Sequence, residues 1–235
     1  AVVYGTGVFV AYEATRPKPP LLTCEQRCQK FAQLAPRYDQ EIARDEESSG
    51  ITAWRKELVS LAKGKVLEVA SGTARNLCFY PQSVQELILG DNCEGMLQVA
   101  AQRVAETRAA HDRHCPDSVT LAVFDAARMP FASNSFDTII DTFGICSFED
   151  PLAALKEMAR CCKPGGTILL LEHGASSLAP LRWWQDHRLN RHVSMWGCYW
   201  NRDIERLVRE GGLRIVESKR KHFGTTVMLR CEPLP

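Results

Sequence analysis

The stretch that decides the fold reads KVLEVASGTARN and spans residues 65–76. Its first half, residues 65–70, is mostly apolar, which predicts a buried strand. Its second half is a run of small residues, which predicts a tight turn that a ligand can approach closely. Glu68 lies near the end of this strand. A strand followed by such a turn is typical of α/β proteins that bind ligands at the carboxyl ends of their strands.

The chain beyond this stretch continues to alternate strands and helices. Further strands are predicted at residues 86–90, 118–124, 136–142 and 167–172. Helices are predicted directly after residue 76, at residues 95–109, 151–162 and 203–210, and a turn at residues 163–166. This alternation predicts an α/β fold with a doubly wound, mostly parallel sheet covered on both faces. Residues 213–219 and 225–230 are predicted to add an antiparallel hairpin.

Two helices are predicted before the first strand. Residues 23–47 carry apolar side chains at helical spacing, and Pro36 is expected to kink or divide this helix. Residues 51–63 form a second amphipathic segment, and Gly64 is expected to end it.

Composition excludes several classes of protein. The 235 residues carry 29 Lys and Arg against 28 Asp and Glu, so no bulk charge favours nucleic acid or an anionic membrane. The length fits one large α/β domain. The ten cysteines are scattered, which predicts reduced thiols rather than a disulfide framework. The stretch HDRHC, residues 111–115, is interpreted as a solvated loop, and no metal site is predicted.

Acidic residues follow three successive predicted strands. Glu68 lies near the end of the first strand, Asp91 follows the second and Asp125 follows the third. Asp91 is placed to accept hydrogen bonds from ribose hydroxyls, and Asp125 to accept one from an exocyclic amine such as that of adenine. Together the three predict a nucleoside site. The turn lacks two of the three glycines that a dinucleotide pyrophosphate site needs, so NAD is disfavoured.

A resemblance to one family rests on LEVASGTA (67–74), Asp91, DAARMPF (125–131), SFD (135–137) and RCCKPGG (160–166). The series resembles the class I S-adenosylmethionine-dependent methyltransferases, within them the branch of the ubiquinone and menaquinone methyltransferases. LAPRYDQEI (34–42) is similar to the opening helix of that branch. LEHG (171–174) and WGCYWNR (196–202) are more similar to small membrane-anchored methyltransferase-like proteins of mitochondria and endoplasmic reticulum. The resemblance covers residues 31–232 and implies a seven-stranded Rossmann-like fold with an N-terminal helical extension.

The resemblance also implies S-adenosyl-L-methionine as cofactor and assigns its contacts. The implied cofactor-binding residues are Tyr38, Glu68, Ala70, Gly72, Asp91, Asn92, Met96, Asp125, Ala126, Thr142 and Phe143. Among them, Glu68 is expected near the amino or sulfonium end, Gly72 beside the methionine portion and Asp91 at the ribose. Asn92 and Met96 are expected to line the adenine, and Asp125 with Ala126 to read its edge. Thr142 and Phe143 are expected to face the transferable methyl, and Tyr38 to close over the cofactor.

The sequence departs from the family in the first turn, where Ala70 and Ala74 stand in place of glycines. An alanine costs about 1 kcal/mol where φ must be positive. The main expectation is methyl transfer to a small apolar acceptor, such as a quinone-like ring or a thiol. The alternative is a weak or inactive methyltransferase fold that serves as a subunit or assembly factor of a mitochondrial complex, with the ribosome as one candidate.

The acceptor side is expected beyond the fifth strand. His173 is the first candidate for a catalytic base, ahead of His187 and His192. Residues 175–202 are interpreted as an insertion that holds four of the five tryptophans among basic residues. The alternatives for it are a lid, contact with RNA through Arg188 and Arg191, a partner or membrane surface, and two helices packed on the core.

The N-terminal residues 1–22 are treated as a separate segment from a methyltransferase domain at residues 23–235. Residues 1–12 contain no charged side chain and are mostly apolar, and a proline-rich basic stretch follows them. The run is too short to span a bilayer by itself, and it is interpreted as the truncated end of a membrane anchor or as a buried segment. A mitochondrial location, with an inner-membrane anchor, is the expectation that follows.

Overall fold

A computed structural model describes residues 22–110 and 115–234 of the chain. The described strands are β1 Gly64–Val69, β2 Val84–Asp91, β3 Ser118–Val123, β4 Phe136–Thr142, β5 Cys162–His173, β6 Leu213–Lys221 and β7 Thr226–Pro233. They form one seven-stranded sheet in the order β3-β2-β1-β4-β5-β7-β6. Six strands run parallel, and β7 runs antiparallel to both β5 and β6. The predicted fold class is confirmed, and so is the antiparallel hairpin.

Helices cover both faces of this sheet. The described helices are α1 Cys24–Ser49, α2 Ile51–Val59, α3 Glu94–Ala109, α4 Pro151–Cys161, α5 Ala179–Trp196 and α6 Ile204–Glu210. Short 3-10 turns lie at Leu77–Phe79 and His222–Gly224.

Successive residues of the central strands belong to two different cores. Val66 of β1 packs in the core that includes Leu58 of α2 and Leu97 of α3. Its neighbour Leu67 packs in the core that includes Leu155 of α4. Because side chains alternate across a strand, a strand buried on both faces is apolar at nearly every position. The doubly covered sheet therefore explains the apolar strand runs of the sequence.

Three local predictions were wrong. No α-helix follows residue 76; only the 3-10 turn Leu77–Phe79 forms there, and Pro81 follows it. The predicted division of the first helix at Pro36 is wrong, since α1 runs unbroken from Cys24 to Ser49, whereas the alternative of a kink there stays a prediction. Residues 163–166 do not precede the fifth strand but loop out within β5, between the pairs Phe136↔Cys162 and Thr138↔Thr167.

The predicted insertion contains one long helix, α5, rather than two. Gly197, with φ of 68°, ends it. The indole rings of Trp183 and Trp184 lie on its exposed side. The N-terminal residues 1–21 and the histidines of residues 111–114 lie outside the described residues, so the anchor and loop predictions for them stay predictions. None of the helices in the described ranges is long and apolar enough to cross a bilayer.

A buried ion-pair network fastens α1 to the rest of the molecule. The Glu46 carboxylate accepts two hydrogen bonds from Arg55 of α2, at 3.0 Å to Nε and 2.7 Å to Nη2. It accepts a third from Arg75 Nη2 at 2.8 Å. Arg75 Nη1 also donates to Asp39 at 3.1 Å, and Arg103 of α3 pairs with the same Asp39. Residues 39 and 46 of α1 thus bind α2, α3 and the turn after β1.

We expect Glu46→Ala to destabilise the protein by about 3–5 kcal/mol, because it leaves the buried Arg55 guanidinium without its carboxylate. The control is Glu210→Ala, which removes the partner of the exposed Arg206 and should cost less than about 1 kcal/mol. Urea unfolding of both variants measures the difference. Equal losses would show that the network does not hold α1.

Candidate functional site

A groove opens where the parallel strands β1, β2 and β4 end. It consists of two adjoining cavities of about 90 Å³ and about 270 Å³. The two share the residues Arg27, Ala70, Asp91, Asn92 and Phe148. We call this pair of cavities the strand-end groove. Its position matches the place where doubly wound sheets bind ligands.

The structure brings eleven predicted residues together in the strand-end groove. The smaller cavity is lined by Tyr38, Glu68, Ala70, Gly72, Asp91, Asn92, Met96, Thr142 and Phe143. The larger cavity is lined by Asp125 and Ala126, together with Ala70, Asp91 and Asn92. Asp91 therefore lies where the two cavities meet. The individual roles assigned to these residues stay predictions.

Asp91 is held by the backbone around it. Its Oδ2 accepts a hydrogen bond from the Gly72 N–H at 2.9 Å, and its Oδ1 accepts one from the Cys93 N–H at 2.9 Å. Burial raises the pKa of Asp91, and the backbone donors lower it in part. A carboxylate has about four acceptor positions, so each oxygen retains capacity for a further donor. Two hydroxyls of a ribose would supply such donors.

Glu68 lies fully inside the molecule at the end of β1. Its Oε1 accepts a hydrogen bond from Asn76 Nδ2 at 2.8 Å, and its Oε2 accepts one from the Tyr80 hydroxyl at 2.6 Å. Burial raises the pKa of Glu68 to about 7, although these two donors lower it. A nearby cation would favour the ionised form. Glu68 is therefore suited to a positively charged group in the smaller cavity.

In the turn after β1, two alanines adopt positive φ angles similar to that of the glycine between them. Ala70 has φ of 50°, Gly72 of 56° and Ala74 of 58°. A non-glycine residue in this left-handed region is strained by about 1–2 kcal/mol. The path leaves Gly72 open to the groove, where an added Cβ would lie 3.5 Å from Met96 Cε. The two alanines therefore adopt the left-handed backbone conformation that glycine takes without strain.

Asp125 is more exposed to solvent than Asp91. Its side chain belongs to an exposed residue, and its Oδ1 accepts a hydrogen bond from the Ala127 N–H at 2.9 Å. The Oδ1 atom is therefore used by the local turn, whereas Oδ2 accepts no hydrogen bond from a backbone N–H of the described residues. A role in reading a base would rest on that second oxygen.

A second site, which we call the apolar cavity, adjoins the groove. It has a volume of about 360 Å³. It shares Phe31, Tyr38, Phe143 and Ser147 with the smaller cavity. Phe143 follows β4 with φ of 63°, and its ring lies 4.4 Å from the His173 ring and 5.0 Å from the Arg55 guanidinium. A strained aromatic residue thus forms the boundary between the two sites.

His173, the predicted base, lines the apolar cavity at the end of β5. Its Nδ1 lies 3.9 Å from Cys146 Sγ and 3.6 Å from Cys198 Sγ, and the two sulfur atoms are 3.3 Å apart. We call these three side chains the thiol–imidazole cluster. His192 lines the same cavity, and burial lowers its pKa to about 4. His187 is not among the residues that line the cavity; its ring stacks on Trp183 on α5.

Several site residues were missed by the sequence analysis. Arg55 donates to the Thr142 hydroxyl at 2.8 Å and to Asn76 Oδ1 at 3.2 Å, so it joins α2 to the groove. Asn76 belongs to the quoted turn, but its position after the glycine gave no sign of a bond to Glu68. Cys146 and Cys198 are 52 positions apart, so no spacing motif connects them.

Two buried carboxyl groups lie behind the cluster. Asp141 of β4 and Glu172 of β5 are fully buried, and one oxygen of each, Asp141 Oδ1 and Glu172 Oε1, has no hydrogen-bond partner among the described residues. Burial raises the pKa of both, that of Asp141 to about 7. Because two adjacent buried carboxylates cannot both ionise at low cost, the pair holds a proton near neutral pH.

The comparisons with known proteins agree with this geometry. A family model described as a methyltransferase domain matches residues 67–170. The strand order, the groove and this match define the class: residues 67–170 form a methyltransferase domain of the class I S-adenosylmethionine-dependent type. Within that class, the resemblance to the quinone-methylating branch is confirmed by the relatives that follow.

The chain is 31% identical over 211 residues to the mitochondrial methyltransferase OMS1 of Saccharomyces cerevisiae, which covers 83% of this chain and 44% of that protein. It is 32% identical over 157 residues to a demethylmenaquinone methyltransferase of Renibacterium salmoninarum, covering 65% and 60%. The chain thus spans less than two thirds of either relative. The crystal structure of the [4+2]-cyclase SpnF superimposes with a TM-score of 0.71 at 16% identity over 94% of this chain and all of that one, which shows the fold alone.

The cofactor of this class is S-adenosylmethionine, and the groove fits it. Ser71 Oγ and Arg75 Nε are buried beside the smaller cavity and have no hydrogen-bond partner among the described residues. Orphaned buried polar atoms are costly, so a polar ligand in the cavity would stabilise them. Asp91 offers acceptors for a ribose, and Glu68 offers a negative charge for the amino or sulfonium end.

We expect Ala70→Gly to stabilise the protein by about 1 kcal/mol, because glycine adopts positive φ without strain and Ala70 is only half-buried. Ala74→Gly is the control. Its methyl is fully buried, and the loss of about 0.8 kcal/mol of burial should cancel most of the same relief. Urea midpoints of the two variants test this. A destabilised Ala70→Gly protein would mean that the turn carries no strain.

The raised pKa values predict that stability without cofactor falls as pH rises from about 5 to about 8. In this window native Glu68 and Asp141 keep protons that the unfolded chain has already released, so unfolding becomes easier as the pH rises. The part due to Glu68 is on the order of 3 kcal/mol. Carboxylates with lowered pKa values, such as Glu46, are almost fully ionised in both states there and add little slope. His192, whose pKa is lowered to about 4, adds an opposite and smaller slope up to about pH 7, because the unfolded imidazole loses a proton there that the native one does not hold.

Urea unfolding at several pH values measures this slope. Glu68→Gln should flatten it by removing one of the titrating groups while keeping a side chain of similar shape. A wild-type stability that rises steadily across the window would contradict the protonation of the buried carboxyls.

Proposed function

We propose that this protein is an S-adenosylmethionine-dependent methyltransferase that acts on a small apolar acceptor, a quinone-like ring or a thiol. The observation that carries the proposal is the adjacency of two sites. The strand-end groove fits the cofactor, and the apolar cavity of about 360 Å³ shares Tyr38, Phe143 and Ser147 with it. An acceptor in the apolar cavity would therefore lie next to the cofactor.

The cofactor, when bound, supplies a methyl group activated by its sulfonium, so the protein contributes alignment and a dry site. Phe143 is held between the groove and the apolar cavity by the rings and charges around it. The α1 helix covers both sites with Phe31 and Tyr38, and burial raises the pKa of Tyr38 to about 12, so its hydroxyl stays neutral. These aromatic side chains would exclude water and orient the two reactants.

The chemistry of the apolar cavity supports an apolar acceptor. Ile42, Ile51 and Trp196 contribute apolar surface to it, and His173 and His192 supply polar atoms. Asp45, Glu46 and Ser49 of α1 also line it. The Nε2 atom of His192 is buried without a hydrogen-bond partner among the described residues. A ring that carries one or two oxygen atoms, or an apolar thiol, matches this lining. The relative named a demethylmenaquinone methyltransferase adds support for the ring. His173 stays the proposed base for an acceptor that needs one.

A mitochondrial location is part of the proposal. Its support is the yeast relative, whose name places that protein in mitochondria. The proposal includes no anchor, because the apolar N-terminal run lies outside the described residues.

The test separates the two sites with paired variants. Asp91→Ala should weaken S-adenosylmethionine binding by at least about 100-fold, because two hydrogen bonds to a charged acceptor are lost. Ile42→Trp should leave cofactor binding unchanged but abolish methyl transfer, because the indole fills the apolar cavity. Ala43→Trp, at the exposed neighbouring position of α1, is the matched control and should alter neither.

Calorimetry with the cofactor measures binding, and transfer of labelled methyl to a short-chain demethylmenaquinone or to an aryl thiol measures activity. Wild-type protein that binds no cofactor at millimolar concentration would reject the enzyme and favour an assembly role. Transfer that Ile42→Trp leaves intact would reject the apolar cavity as the acceptor site. Salt-dependent transfer to RNA, reduced by Arg188→Ala and Arg191→Ala, would assign the acceptor to RNA instead.

A further inference from the structure

The thiol–imidazole cluster has the dimensions of a zinc site. In a tetrahedral zinc centre with Zn–S of about 2.3 Å and Zn–N of about 2.0 Å, neighbouring ligand atoms lie about 3.5–3.8 Å apart. The three distances in the cluster are 3.3 Å for S···S, and 3.6 Å and 3.9 Å for the two S···N pairs. Each distance is within about 0.5 Å of the tetrahedral value. A small shift of side chains would therefore place one cation at bonding distance from all three atoms.

The three ligands come from separate elements whose backbones are tied together. The Cys146 N–H donates to Glu172 Oε2 at 3.0 Å, directly before His173 in the chain. The Cys146 carbonyl accepts from the Tyr199 N–H at 2.7 Å, directly after Cys198. Each neighbour of the cluster is thus fixed relative to Cys146. Such outer hydrogen bonds orient the ligands of a metal site and reduce the entropy lost when the metal binds.

Burial and chemistry select the kind of cation. Cys146 and Cys198 are buried, reduced cysteines at 0% and 5% exposure, and the imidazole of His173 lies at the cavity wall. Thiolate and imidazole ligands favour Zn²⁺ or Cu⁺ and disfavour Mg²⁺ and Ca²⁺, which prefer oxygen. Two thiolates also cancel the charge of a divalent ion, so the complex is neutral in a buried place.

All three ligands line the apolar cavity, so the fourth corner of the tetrahedron opens into it. Zinc with three protein ligands and one open position is the arrangement found in catalytic rather than structural sites. The unpartnered Nε2 of His192 lines the same cavity and is available to a group bound at that corner. A water molecule or the sulfur of an acceptor thiol fits there.

We propose that Cys146, His173 and Cys198 bind one Zn²⁺ ion in the wall of the apolar cavity, with an open coordination position toward the acceptor. Each cysteine releases its thiol proton to solvent as its sulfur coordinates the metal. A zinc ion on Nδ1 of His173 leaves only Nε2 of that ring able to accept a proton, so in the zinc-bound protein the base proposed above would act through Nε2. Metal binding tests this site directly, and the result does not depend on whether the protein transfers methyl groups.

The experiment is metal binding to the purified chain under a non-thiol reductant, which keeps Cys146 and Cys198 from forming a disulfide. After the protein has been stripped and titrated with Zn²⁺, we expect one tightly bound ion per chain. Co²⁺ in place of Zn²⁺ should give the intense absorption of a tetrahedral site together with a thiolate-to-cobalt charge-transfer band. Cys198→Ser and His173→Ala should each weaken zinc binding by more than about 100-fold and remove or shift these bands.

Matched controls are Cys161→Ala, another buried cysteine, and His187→Gln on α5, both of which should bind zinc like wild type. Thermal unfolding without metal identifies any variant that fails to fold. If one of Cys198→Ser and His173→Ala does not fold, the cobalt spectrum of the other one tests the proposal. The proposal is overturned if wild-type protein binds no zinc, or if Cys198→Ser and His173→Ala bind it as well as the controls do.

Metal and cofactor outcomes are separable. Removal of zinc by a chelator should leave S-adenosylmethionine binding unchanged. None of the three cluster residues lines the strand-end groove, and only Gly144 and Ser147, close to Cys146 in the chain, do so. Zinc binding without cofactor binding would reject the proposed methyl transfer and keep the metal site. Cofactor binding without zinc binding would do the reverse.

Discussion

The buried carboxylate of Glu46 is the group on which the rest of the site depends. It lies on α1, yet it accepts hydrogen bonds from Arg55 of α2 and from Arg75 in the turn after β1. Arg55 in turn reaches Thr142 at the end of β4. One side chain thus joins the covering helix to the two strand ends between which the groove lies. Because a buried ion pair is costly unless every partner is present, the arrangement tolerates little displacement of α1.

Local strain accumulates where this network meets the strand ends. Ala70, Ala74 and Phe143 all adopt positive φ, and all lie within a few residues of a strand end at the site. Such conformations persist only where surrounding structure enforces them. Gly144 shows how tight the surroundings are, because an added Cβ would lie 2.2 Å from an Asp141 oxygen. The strain therefore reflects packing around buried acids rather than free loops.

The sequence predicted the parts of the molecule that depend on local pattern. Apolar runs located the seven strands to within a few residues, because a strand covered on both faces must be apolar throughout. The acids at strand ends located the groove, because parallel strands end at one edge of a sheet. The prediction failed where a tertiary contact decides: Asn76 and Tyr80 bind Glu68, and the segment between them turns in a 3-10 conformation rather than an α-helix.

The apolar cavity was the harder part to predict for the same reason. Cys146, His173 and Cys198 come from a loop, a strand end and the second residue after α5, and nothing in their spacing connects them. The candidate that spacing does suggest is the run of His111, His114 and Cys115, because a sequence shows only which residues are close along the chain. The role of Arg55 was hidden likewise, since an arginine in an amphipathic helix ordinarily faces solvent.

The order of the sheet also bears on how the protein can be made. Strand β7 is inserted between β5 and β6, so β6 touches the sheet only through a strand that follows it in the chain. While a ribosome is still synthesising residues 213–221, that segment has no place to dock, and the edge of β5 stays uncovered. During that interval the edge of β5 presents unpaired backbone N–H and C=O groups, which are prone to pair with a strand of another chain.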